Sequence, residues 1–79
     1  MPVTTIVFPT LDGDNPDAEG TVASWLAQDG AAVRAGALVA EVRVGRSSGQ
    51  IAAPVDGVLR HMTAGGERAR QGAVVGFLE

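Results

Sequence analysis

Gly30-Ala31-Ala32-Val33-Arg34-Ala35-Gly36-Ala37-Leu38-Val39 and Gly66-Glu67-Arg68-Ala69-Arg70-Gln71-Gly72-Ala73-Val74-Val75 are one pattern written twice: at an offset of 36, Gly, Arg, Gly, Ala and Val coincide at five places. Upstream the offset becomes 37 and places Gly20-Thr21-Val22 on Gly57-Val58-Leu59, so a single residue was gained or lost between the copies. A repeat of this period marks two copies of one supersecondary unit, and neither copy can bury its apolar face alone. The two are expected to clasp each other with pseudo-twofold symmetry around a shared core, as a flattened barrel or sandwich.

The rest of the chain decides what the unit is made of. Eleven glycines punctuate short runs of Val, Leu, Ile and Ala, the signature of short strands joined by turns. The runs are Thr4 to Phe8, Thr21 to Leu26, Leu38 to Val44, Gln50 to Ala53, Val58 to Met62 and Val74 to Leu78, with two-residue strands near Val33 and Ala69. These lengths suit strands and are too short for helices. The rival is an alanine-rich helix across Ala23 to Ala40. Against it, Gly30 and Gly36 would each cost about 1 kcal/mol in a helix interior, and Asp29-Gly30 is a turn signal. The fold class read from the sequence is therefore all-β.

With 79 residues the chain has room for one domain, 1–79, and buries only about 60% of the surface its unfolded form exposes. No cysteine is present, which excludes disulfides, cysteine nucleophiles and cysteine metal sites and suits a reducing compartment. No apolar run approaches the roughly 18 residues of a membrane span, and Met1-Pro2-Val3-Thr4-Thr5 lacks the basic residues of a signal peptide, so a cytoplasmic location is expected. The formal charge of −3 is uneven: Asp12, Asp14, Asp17 and Glu19 crowd one segment, while Arg60, Arg68 and Arg70 lie in the last third. No basic stripe with interleaved aromatics exists, since the aromatics are Phe8, Trp25 and Phe77 alone. The sequence thus points to neither nucleic acid nor a membrane as partner.

Gly20-Thr21-Val22-Ala23-Ser24-Trp25-Leu26 with Asp29-Gly30, Val33, Gly36 and Leu38-Val39-Ala40-Glu41-Val42 resembles the lipoyl domain of 2-oxo acid dehydrogenase acyltransferases. The second half agrees, with Ile51, Pro54-Val55-Asp56-Gly57, Gly65-Gly66, Gly72 and Val74 to Leu78 in matching order, so the likeness runs from about Thr5 to Glu79. It implies the barrel-sandwich hybrid, two four-stranded antiparallel sheets, and a lysine at the tip of the hairpin joining the halves. Counting back eight from Pro54 places that tip on Arg46, between Gly45 where lipoyl domains carry an acidic residue and Ser47 where they carry a small one. Biotinyl domains put methionine on both sides, which this chain does not. The sequence has no lysine anywhere. A guanidinium is held protonated and is a poor nucleophile, so no cofactor is expected here, and lipoate would be expected only if position 46 were lysine.

The same resemblance assigns the loop Pro9 to Glu19, about two residues longer than its counterpart, to partner recognition through Asp12, Asp14, Asp17 and Glu19; the alternative is a solvated acidic loop. Its Asp12-Gly13-Asp14 start has the spacing of a calcium loop, but Pro16 and the missing distal glutamate argue against an EF-hand, and no metal site is expected. Trp25 reads as a core residue, and His61 as a half-exposed strand histidine without an acid–base partner. Gly45-Arg46-Ser47-Ser48-Gly49 lacks the spacing and the lysine of a phosphate loop and reads as a mobile, solvated hairpin. No nucleophile–base pair can be assembled, so no enzymatic activity is expected. Three functions fit: a lipoyl-like scaffold without its attachment residue, serving dehydrogenase-complex or acyltransferase subunits as a non-catalytic docking or regulatory module; a lysine-to-arginine variant of a working lipoyl, less readily biotinyl, carrier; and a small anion-binding module acting through Arg46.

Overall fold

The computed structural model describes residues 3–79. These contain eight strands and no helix: β1 Thr4–Val7, β2 Glu19–Trp25, β3 Ala32–Val33, β4 Leu38–Val44, β5 Ser47–Ala52, β6 Gly57–His61, β7 Arg68–Arg70 and β8 Val74–Leu78. They form two four-stranded antiparallel sheets, sheet I in the order β1-β8-β6-β3 and sheet II in the order β5-β4-β2-β7. This is the flattened barrel-sandwich expected from the sequence. The helix across Ala23 to Ala40 does not form, because Asp29-Gly30 and Gly36 turn the chain and leave strands β2, β3 and β4 in its place.

The repeat is visible in the hydrogen bonds. Gly36 N–H donates to Ala53 O at 2.8 Å and Gly72 N–H donates to Phe8 O at 2.7 Å. Gly30 N–H donates to Leu59 O and Gly66 N–H to Val22 O, both at 2.7 Å. The four glycines have φ between 84° and 88°, a left-handed conformation that costs other L-residues about 1–2 kcal/mol. In each pair the donor lies in one half and the acceptor in the other or at the junction. The halves do more than clasp: each sheet takes strands from both, so β1 and β3 lie in sheet I with β6 and β8, while β2 and β4 lie in sheet II with β5 and β7.

Alternation along the strands builds the core. In β4, Val42 and Val44 point inward between exposed Glu41 and Arg43; in β8, Val75 and Leu78 are buried. With Ile6, Phe8, Val22 and Leu59 they fill the space between the sheets, each burial worth about 1.5–3 kcal/mol. Gly20 is forced by this packing, since a Cβ there would lie 2.5 Å from both the Phe8 ring and the Arg43 carbonyl oxygen.

Candidate functional site

The strand pair β4–β5 joins the two halves, and its ladder runs without interruption from Ala40↔Ile51 to Val44↔Ser47. Only Gly45 and Arg46 remain for the turn. Gly45 has φ +56° and no other residue type among the described residues has positive φ, the sign pattern of a type II′ hairpin, whose twist matches that of the flanking strands. The hairpin expected at Gly45 to Gly49 is present, and the correction is to its second strand: Ser47, Ser48 and Gly49 are strand residues, because β5 begins three positions earlier than its apolar content suggested. Their side chains gave no apolar alternation to read; the pairing with β4 makes the strand.

Arg46 therefore stands at the apex of a paired hairpin, exposed, with Ser47 exposed beside it. Among the described residues the ion pairs involve Arg60, with Asp29 at 3.7 Å and Glu79 at 3.0 Å. The Arg46 guanidinium thus faces solvent with its donors available.

The long loop after β1 packs against this hairpin. Leu11 reaches over the inward face of β5, where a Cβ on Gly49 would lie 2.8 Å from its Cδ2. The loop is held from the far side by Gln71. Its Oε1 accepts from Leu11 N–H at 2.8 Å and Asp12 N–H at 2.7 Å, while Nε2 donates to Asn15 O at 3.1 Å and more distantly to Asp12 O and Pro16 O, both at 3.4 Å. Within the loop, Asp12 Oδ1 accepts from Asn15 N–H at 3.3 Å. One side chain so satisfies several backbone groups that would otherwise lie half-buried without partners. Asp14 and Asp17 project into solvent, Asp12 is half-buried, and Glu19 leaves the loop to open β2, directly opposite Arg70. The structure thus brings Arg46 and the acidic loop to one end of the sandwich.

Gln71 and Leu11 have no assigned role in the sequence reading, and Gly49 enters it only as the end of the hairpin motif. The signal for Gln71 was present in the repeat, where it replaces Ala35, a position whose backbone N–H instead donates to Asp56 Oδ1 at 2.7 Å.

Trp25, read from the sequence as a core residue, packs against the core at its rim and is half-buried. Its Nε1–H donates to Thr63 O at 2.7 Å, which anchors the polar edge of the ring outside the apolar centre. His61 is stacked on it, and its Nε2 is 2.9 Å from Ala27 O; because a carbonyl can only accept, that nitrogen carries the hydrogen. Both rings have structural work to do. Among the described residues no group of three or more His, Cys, Asp or Glu side chains is placed to hold a metal ion.

A carrier group would need an amine at the apex of β4–β5. The apex offers a guanidinium and neighbouring hydroxyls, and the sequence holds no lysine, so these residues do not fit amide attachment. A protein-family model described as Biotin_lipoyl, biotin-requiring enzyme, matches residues 15–78. No curated protein matches the chain.

Proposed function

We propose that this chain, which belongs to the biotin/lipoyl attachment family, keeps the carrier scaffold of that family without its attachment amine and serves as a non-catalytic docking or regulatory module for acyl-transfer or dehydrogenase-type enzymes. Domains of this family carry a group for enzymes and are not themselves catalysts. The observation that carries the proposal is Arg46 at the solvent-facing apex of the hairpin between the two halves, in a chain without lysine; the resemblance to lipoyl domains would put the attachment lysine at this apex. What the scaffold retains beside it is a recognition surface: the acidic loop of Asp12, Asp14 and Asp17, fixed against the hairpin by Gln71 and Leu11.

Two measurements test this reading. Incubation with lipoate ligase, ATP and lipoate leaves the intact mass unchanged; a gain of one lipoyl group overturns it. In a pull-down against dehydrogenase-complex and acyltransferase subunits, retention of a partner falls when Arg46 is changed to alanine or when Asp14 and Asp17 are changed to asparagine. Binding indifferent to all three substitutions refutes docking through this end.

A second reading, a carrier disabled by exchange of lysine for arginine, is favoured by the β4–β5 ladder, continuous from Ala40 to Val44, and its two-residue turn, which would still present a lysine in the open. Arg46→Lys distinguishes the two.

A further inference from the structure

The two outer faces of the sandwich are equivalent by the repeat and differ in chemistry. In sheet II, Ser48, Arg43, Thr21 and Arg68 lie opposite one another across β5, β4, β2 and β7. Directly opposed residues in antiparallel strands share a face, and the buried neighbours Gly20, Val22, Val42 and Val44 show that this face is the outer one. The row is one of donors: two arginines on the strands flanking β2, their backbones about 10 Å apart by the strand spacing, with a hydroxyl between them and another beyond Arg43. A groove of about 360 Å³, lined in part by Arg43, Ser48, Gln50 and Glu41, opens beside the row.

The repeat supplies an internal control. Thr21, Arg43 and Arg68 correspond to Val58, Glu79 and Ala32, which form the matching positions of sheet I. The fold therefore has no structural need of arginine at these places. Nor are the two arginines engaged within the chain, since the ion pairs among the described residues involve Arg60. Arg70 lies opposite Glu19 across the strands, and Glu41 borders the row on its other side, so on this face two arginines stand in line, at Arg43 and Arg68, without a carboxylate opposite either in register.

We infer that the outer face of sheet II, along Ser48, Arg43, Thr21 and Arg68, docks an extended acidic segment of a partner protein whose carboxylates pair with the two arginines. Charge complementarity selects the partner: the chain is acidic as a whole, at −3, and a paired line of guanidinium groups on it favours carboxylates, which arginine binds in a bidentate fork. The spacing selects an extended segment, because side chains on one face of a strand recur about every 7 Å and bring successive or alternate carboxylates within reach of both arginines. This goes beyond the docking proposed for the hairpin end and uses none of its residues.

The test is a titration of isotope-labelled protein with a synthetic peptide of alternating glutamate and serine, followed by amide chemical shifts. Shifts are expected at Thr21, Arg43, Ser48 and Arg68 and not at Ala32, Val58 or Glu79, and binding weakens as salt is raised. Arg43→Gln combined with Arg68→Gln lowers affinity by about tenfold with Trp25 fluorescence unchanged, which shows the variant folded. Shifts confined to other residues, or a double variant that binds as tightly as the parent, overturn the inference. So does inorganic phosphate giving the same shifts at the same concentration, which marks a small-anion site, or phosphatidylserine vesicles binding through these arginines more tightly than the peptide. A lipoyl gain in the mass test would leave this titration unaffected, so the two proposals fail separately.

Discussion

The indole of Trp25 lies on the imidazole of His61, with ring centroids 3.9 Å apart and planes 12° from parallel. Trp25 ends β2 in sheet II and His61 ends β6 in sheet I, so the stack ties the two sheets together at their rim. The pair is further fixed by Trp25 Nε1–H to Thr63 O, His61 Nε2–H to Ala27 O, and His61 N–H to Asp29 Oδ1. His61→Ala removes the stack and one of these bonds, and is expected to cost about 1–2 kcal/mol. Urea unfolding followed by Trp25 fluorescence measures it. Met62→Ala, at a neighbouring side chain 62% exposed, is the control and changes stability by less than about 0.5 kcal/mol.

Gln71→Ala releases the loop after β1. Its amide satisfies both Leu11 and Asp12 N–H groups and the Asn15 carbonyl, so stability falls by about 1–2 kcal/mol. Amide exchange from residues 11 to 18 rises while exchange in β4 and β8 stays as it was. Uniform acceleration across the sheets would show that Gln71 supports the whole fold and not the loop.

Gly20→Ala and Gly49→Ala separate rigid from yielding surroundings. At Gly20 the new methyl meets the Arg43 backbone and the Phe8 ring, both within 2.5 Å, and a loss of about 3 kcal/mol follows. At Gly49 it meets only the end of the Leu11 side chain, 2.8 Å away, which can rotate aside, so the loss is about 1 kcal/mol. In the Leu11→Ala background the Gly49→Ala penalty shrinks, and a double-mutant cycle reads the coupling.

Arg46→Lys keeps the stability of the parent within about 0.5 kcal/mol, because the side chain is exposed and outside every ladder bond. Intact-mass kinetics with lipoate ligase then report recognition alone. We expect slow lipoylation, quickened when Gly45→Asp supplies an acidic neighbour; asparagine and aspartate are among the few side chains that tolerate positive φ.

Much of this was legible in the sequence because the signals were local or repeated. β4 and β8 fall where Leu38 to Val44 and Val74 to Leu78 place them: in β4 inward Val42 and Val44 alternate with outward Glu41 and Arg43, and β8 is a short apolar run that follows the turn at Gly72. The hairpin apex at Arg46 was placed by the resemblance to lipoyl domains, counting back eight from Pro54. What could not be read was carried by contacts between distant residues. Ser47 to Gly49 have no apolar alternation and become a strand only because β4 lies beside them. Trp25 sits at the rim because Thr63 and His61 hold it there. The exchange of strands between halves leaves the same apolar pattern as two separate units, so the repeat revealed the symmetry and not the interleaving.

That exchange bears on how such a fold can arise. Because the turn glycines of one half find acceptors in the other, two identical chains of half the length would already possess each other's partners. A homodimer of such chains, fused once by a linker no longer than Gly45-Arg46, becomes this domain without a new core having to be invented, and the two sheets are then free to diverge in what they display.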